Sequence, residues 1–340
     1  MDQKTLVANQ IKCLAKTLKG QGHYGNKGDN QDGFFSHANQ DASFIAVIDG
    51  HSEHGDSVKD YIIKSLPELI DKYDFAQKSK IHINLTNLFE KLQSGLLEFF
   101  QTDLKIKDPF AQYEFNGFIT SVKSGGACIT FILIPNDKSN TMHIAQLGDT
   151  SCILYNKDTK TVETLTSDHS PTNIVEAQRI LLEETCPPNG KRSLDFSHTG
   201  KPIWEKIDNK LYLNLVNEAC EGFSTYDDQK GGYIGFEYSE SQPRGFSVVG
   251  RLAITRALGD FQKQIAGCIA VPEITVHTFE NSNWRLLLAS DGVTDTLGKG
   301  QLLSMLQEHS DQDKLASALI NNAIETNFGD DTTIVVIDPK

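Results

Sequence analysis

Asp49, Gly50 and His51 follow an unbroken run of five apolar residues, Phe44 to Ile48. An apolar run meeting a carboxylate recurs along the chain. Asp32 precedes GFF, Asp149 follows TMHIAQLG, Asp291 follows RLLLAS with Asp295 four residues on, and Asp330 and Asp331 precede TTIVVI. Taken singly, Asp and Gly are ordinary residues where a strand enters a turn. Brought to one place, these carboxylates would repel and raise one another's pKa. A hard divalent cation removes that conflict, and an all-oxygen ligand set suits Mg2+ or Mn2+ better than zinc. HSEH (51–54) offers two imidazoles, but no third ligand stands at a recognised zinc spacing.

Whether the aspartates meet depends on the strands that carry them. Segments rich in β-branched and aromatic residues, bounded by turn formers, predict strands at 33–36, 43–48, 127–134, 141–147, 151–155, 161–166, 285–290 and 332–337. The short polar connections SHANQD, PNDKSN and NKDTK suit antiparallel hairpins, not parallel crossovers. Pairing 33–36 with 43–48 places Asp32 beside Asp49 at one sheet edge. The same geometry sends Asp149 to the end of the hairpin 127–147, and pairing 285–290 with 332–337 sets Asp291 beside Asp330. Apolar stripes at helical spacing predict helices over 56–73, 84–101, 174–184, 300–309 and 313–326, the last capped by Asp311 or Asp313.

Antiparallel strands with amphipathic helices make an α+β sandwich in which helices cover sheets. No Pro/Gly/Ser-rich linker divides it, so residues 1–340 read as a single domain. Between about 183 and 250 the periodicity is lost. That stretch reads as a long irregular excursion over the surface, with one short helix around Lys210 to Glu218.

The bulk numbers narrow the function classes. A net charge of −13 argues against a nucleic-acid binder. The longest apolar run, ACITFILI (127–134), falls short of the roughly 20 residues a membrane span needs. No positively charged start leads into an apolar stretch and residue 2 is Asp, so neither a secretory leader nor a myristoyl anchor is expected. Six cysteines (13, 128, 152, 186, 220, 268) lie far apart with no CxxC pair. They read as reduced thiols of an intracellular protein, in the cytoplasm or the nucleus.

Nine stretches, in chain order, carry a resemblance: KGDNQDGFF, VIDGH, SGGACITFILI, AQLGDTSCILY, LTSDHSPTNIVEAQRI, GRLAITRALGDF, VPEITV, LLLASDGVTDTL and GDDTTIVVI. Together they resemble the type 2C metal-dependent protein serine/threonine phosphatases, over roughly residues 25 to 338. The resemblance implies a β-sandwich of two antiparallel sheets flanked by helices, with a binuclear metal site at one sheet edge. The whole chain would then be the phosphatase catalytic domain, with 183–250 an enlarged flap. Asp32, Asp49, Asp291, Asp330 and the Gly50 carbonyl fall on the positions that hold two Mg2+ or Mn2+ ions per chain, and Asp149 and Asp295 on those of a weaker third site. His51 falls on the proposed general acid, and Lys27 where many members have an arginine that binds the substrate phosphate.

The departures are local. Lys27 is a point charge where arginine offers a planar fork. Gln31 replaces a frequent glutamate beside the metal site, Ser52 replaces a glycine, and Gly126-Ala127 stand where Ser-Thr is common. None removes a primary ligand.

The implied activity is hydrolysis of phosphoserine and phosphothreonine in phosphoprotein substrates, by a monomeric signalling enzyme with no nucleic-acid or membrane partner. Two bridged cations would lower the pKa of a shared water, and the resulting hydroxide would attack phosphorus in line. The metals and Lys27 would offset charge on the phosphoryl oxygens while His51 protonates the departing oxygen. The rival reading is a pseudophosphatase, an inactive scaffold of the same fold. Such proteins typically lose metal aspartates, and here every candidate is present.

Overall fold

The computed structural model describes residues 2–8, 11–21, 28–110, 112–115, 118–121, 125–137, 139–170, 173–182, 190–195, 201–207, 210–216, 233–238, 253–326 and 329–340. Two antiparallel sheets of six strands face each other. In hydrogen-bonded order the first runs Asp2–Ala8, Ile11–Leu18, Thr332–Pro339, Trp284–Ala289, Ser151–Asn156 and Thr161–Thr164. The second runs Glu273–Thr278, Thr141–Leu147, Gly126–Pro135, Ala42–His51 and Asp32–Ala38, and the two-residue strand Leu258–Gly259 also pairs with Gly126–Pro135.

The unbroken apolar runs have a direct cause. Successive side chains of a strand point to opposite faces. Ile45 and Val47 pack between the sheets with Ile132, Ile144, Leu286, Leu288 and Val335. Phe44, Ala46 and Ile48 face the other way, against Ile62, Leu66, Leu88 and Phe89 of helices Gly55–Ile70 and Ile81–Thr102. On the far side, Leu287, Ile334 and Val336 meet Leu302, Leu306, Leu315 and Leu319 of helices Lys299–Glu308 and Gln312–Glu325. With both faces covered there is no polar alternation to see. Each fully buried Leu, Ile or Phe contributes about 1.5–3 kcal/mol, so the strand ends project from a rigid four-layer platform.

The expected strands and helices form within a few residues of their predicted bounds, and Asp311 caps the last helix by accepting from the amides of Asp313 and Lys314. Among the described residues, no helix is long and apolar enough to cross a membrane.

The reading of 183–250 needs correction. The described parts form antiparallel ladders, Gly190–Asp195 with Tyr233–Tyr238 and Lys201–Ile207 with Lys210–Val216. No helix forms at Lys210; KLYLNLV is a strand. Leu211, Leu213 and Leu215 alternate there with Lys210, Tyr212 and Asn214, which is the period of two that a strand requires.

Candidate metal centre

Strand register builds the centre. Asp32 lies directly opposite Asp49, and the next strand sets Cys128, Ala127 and Gly126 opposite Asp49, Gly50 and His51. Asp149 follows strand Thr141–Leu147 through Gly148, whose φ of +87° suits glycine and where a Cβ would collide with the Cys128 sulfur. His169 props that turn: its Nδ1 accepts from the Gly148 amide (3.2 Å), its own amide donates to the Gly148 carbonyl (3.0 Å), and its Nε2 meets Glu273 (2.9 Å). Asp291 opens the short helix Asp291–Thr294 just beyond strand Trp284–Ala289, and Asp295 follows one turn later. One carboxylate oxygen from each of Asp49, Asp149 and Asp291 lies within 4.8 Å of the others.

The surrounding groups hold this rim in place. Ser290 Oγ donates to the buried Asp32 carboxylate (2.6 Å) and accepts from the Thr333 amide (2.9 Å). The Gly50 amide donates to the Gln31 carbonyl (3.0 Å), and a Cβ on Gly50 would strike the Gly55 carbonyl. Asp330 accepts from the Asp331 amide (2.8 Å). Asp331 itself is a clamp, accepting from the amides of Gly20 (2.7 Å) and Gln31 (2.8 Å).

Crowding sets the electrostatics. Burial, with the nearby charges of Asp291, Asp331 and Asp330, pushes the Asp32 carboxyl up to about 8 against the pull of the Ser290 hydrogen bond. Enclosure and the charges of Asp291, Asp32 and Asp149 raise Asp49 well above the carboxylate range. Carboxylates that hold protons for want of a counter-charge are a fit site for a hard cation. The one nearby sulfur does not compete, because burial and the adjacent Asp149 and Asp49 keep the Cys128 thiol protonated.

His51 Nε2 lies 2.6 Å from Asp260 Oδ2. Enclosure alone would lower the imidazole's pKa, but Asp260, with Asp149 and Asp291, holds it above its ordinary value. His54 does not join it as a zinc pair; its ring meets the edge of Phe100. Gln31 donates through Nε2 to the Ser52 carbonyl (2.6 Å), and Ser52 sits at φ 68°. The two departures are therefore coupled. The serine keeps a glycine's backbone conformation, and the amide supplies a donor that a glutamate carboxylate lacks.

Lys27 lies outside the described residues. Sequence reading missed Ser290 and Asp260 as supports. Ser290 stands beside the candidate Asp291, and Asp260 lies within the GRLAITRALGDF stretch, in a segment without periodicity.

Comparison with known proteins bears on the family and the fold. The Protein phosphatase 2C family model matches residues 7–185 and 237–332. Probable protein phosphatase 2C 72 of Arabidopsis thaliana is 24% identical over 310 residues, covering 88% of this chain and 76% of its own. Probable protein phosphatase 2C 35 of the same plant is 24% identical over 338 residues, covering 95% and 83%. Among solved structures, the serine-threonine phosphatase 2C from Toxoplasma gondii superposes with a TM-score of 0.65 at 14% identity, covering 100% of this chain and 99% of that one. The catalytic domain of the phosphatase PstP, in complex with 2 manganese ions, superposes with a TM-score of 0.55 at 15% identity, covering 97% and 98%. The chain thus belongs to the protein phosphatase 2C family and is a protein phosphatase.

Proposed function

We propose that this chain hydrolyses phosphoserine and phosphothreonine in proteins, using two Mg2+ or Mn2+ ions held at the rim where Asp49, Asp149 and Asp291 converge. The observation that carries the reading is that convergence: three carboxylates from three separate strand ends within 4.8 Å. The manganese pair in the PstP complex, a protein of the same fold, supports it.

Asp32, Asp49, Asp291, Asp330 and the Gly50 carbonyl are assigned to the two principal ions, and Asp149 and Asp295 to a weaker third. When bound, such ions supply a deprotonated water near neutral pH and offset charge on the phosphoryl oxygens. The chain's own groups do the rest. Ser290 keeps the Asp32 carboxylate aimed at the rim, so that side chain need not reorganise during turnover. His51, at the rigid end of strand Ala42–His51, gives a proton to the departing seryl or threonyl oxygen as the P–O bond breaks. Lys27 is assigned to the substrate phosphate, and the 183–250 insertion to substrate choice.

An inactive scaffold would have no need to maintain mutually repelling carboxylates at this rim. The described cysteines, 13, 128, 152 and 268, are all buried free thiols, which supports a reducing compartment, cytoplasmic or nuclear. Hydrolysis of a phosphothreonine peptide should cease in EDTA and return with millimolar Mn2+ or Mg2+. Full activity of metal-free protein would refute the assignment.

A further inference from the structure

His51 owes its orientation to a residue 209 positions downstream. Asp260 has no exposed surface, yet its Oδ2 is 2.6 Å from the His51 ring, and its Oδ1 accepts no hydrogen bond from any described residue. A buried carboxylate with one oxygen left unmatched is a poor stabilising device. Its backbone is also costly, at φ 43° in the left-handed region.

The mount is nonetheless rigid. Gln93 grips the preceding Gly259 on both sides, donating to its carbonyl (2.9 Å) and accepting from its amide (2.7 Å). The Asp260 amide donates to the Gly125 carbonyl (3.0 Å), and its carbonyl accepts from the Lys263 amide (2.8 Å). Gly126 completes the seat. A Cβ there would run into both Asp260 Oδ2 and His51 Nε2. This accounts for one departure noted in the sequence, a glycine where serine is common. The pair occupies the space a side chain would take.

We propose that Asp260 is the positioning residue of His51, engaging Nε2–H so that Nδ1 carries the proton passed to the leaving oxygen. The proposal rests on the reading of His51 as proton donor. In the step, the imidazolium Nδ1–H bond breaks and the proton joins the departing seryl or threonyl oxygen as its bond to phosphorus breaks. The ring is left neutral, with Nε2–H still donated to Asp260 Oδ2, and regains its proton from solvent. A carboxylate that fixes a ring's tautomer and angle is the arrangement seen in histidine-assisted nucleophilic catalysis.

The test uses two substrates. A seryl or threonyl alkoxide needs protonation to leave, whereas a nitrophenolate leaves unaided. The readout is therefore the ratio of kcat on a phosphothreonine peptide to kcat on p-nitrophenyl phosphate, at saturating Mn2+. Asp260→Asn removes the carboxylate at constant shape. Gly126→Ala keeps the carboxylate and forces it away from the ring. Both should lower the ratio by about 10- to 100-fold, part of the typical 10²- to 10⁴-fold general-acid factor. His51→Gln should lower it at least as far, and adding Asp260→Asn to His51→Gln should lower it no further. Thermal melting and Mn2+ affinity are measured for each variant; should Asp260→Asn not fold, Gly126→Ala carries the test. If His51→Gln lowers the ratio and the Asp260 and Gly126 variants do not, the positioning role is wrong while the donor stands. If His51→Gln itself leaves the ratio intact, the donor reading fails and the proposal falls with it.

Discussion

Aspartates stand at both ends of the sandwich, and the two sets differ in what surrounds them. At the hairpin end, Asp137 pairs with Lys78 (2.8 Å) and accepts from the Ser139 amide (2.9 Å), which holds its carboxyl down to about 2. Asp158 at that end accepts from the side-chain amides of Asn281 and Asn283. At the rim with His51, burial and neighbouring carboxylates push Asp32 up to about 8. The residue type is the same, and the partners decide its behaviour. Where a turn supplies amides and a lysine, a carboxylate is content as an anion. Where strand register sets carboxylate against carboxylate, the anion lacks a counter-charge, and a cation is what completes the site.

The largest effect should come from removing rim charges. Asp49→Asn and Asp291→Asn should each lower kcat on a phosphothreonine peptide by at least about 10²-fold, the scale for losing one element of transition-state charge stabilisation. Asp137→Asn and Asp158→Asn should leave kcat at the wild-type level. Equal losses at the two ends would erase the distinction. Asp149→Asn should fall between them if it serves only the weaker site, and its loss should shrink as Mn2+ is raised.

Acidity sharpens the comparison with opposite signs. In metal-free protein the folded-state pKa of Asp32, about 8, lies above its ordinary value of 3.8. Between those values the folded state keeps a proton that the unfolded state releases, so stability falls as pH rises through that window. Asp137 is depressed to about 2, so its contribution is present above 3.8 and is lost as pH falls toward 2. The Tm of EDTA-stripped protein should therefore drop between about pH 4 and pH 8. Mn2+ should remove most of that drop, and Asp32→Asn should reduce it, leaving the share that the raised Asp49 contributes with the same sign. A Tm profile between about pH 4 and pH 8 that neither Mn2+ nor Asp32→Asn alters would contradict the crowding argument.

The smallest effect belongs to the Gln31–Ser52 pair. Ser52→Gly removes a left-handed serine and should add about 1 kcal/mol or less, a Tm rise of about 1–2 °C at most. Gln31→Glu deletes the donor to the Ser52 carbonyl and should lower Tm slightly. Additive effects in the Gln31→Glu, Ser52→Gly double variant would show that the two departures are independent.

Much of this site could be read from the sequence, because hairpin geometry is local. Short polar loops force antiparallel pairing, and pairing places Asp32 opposite Asp49 without further information. The apolar runs gave away strands buried on both faces. Ile11–Leu18 was harder to see, since Lys12 and Lys16 interrupt IKCLAKTL; Lys16 is nonetheless buried, with Nζ 2.7 Å from Ser317 and 2.8 Å from Asp313. The strand Lys210–Val216 was missed for a different reason. Its alternation is short and lies within a stretch dominated by turn formers. Asp260 was illegible in principle. No periodicity positions it, and its partner is brought close only by tertiary folding, through Gln93 and Gly125.

The central claim is that the rim carboxylates exist to hold divalent cations, and a count of bound ions tests it most directly. Mn2+ titrated calorimetrically into EDTA-stripped protein should bind with a stoichiometry of two tight ions per chain in the wild type and in Asp137→Asn. Asp49→Asn should lose tight binding while keeping its fold. Equal Mn2+ binding by Asp49→Asn and wild type would contradict the account.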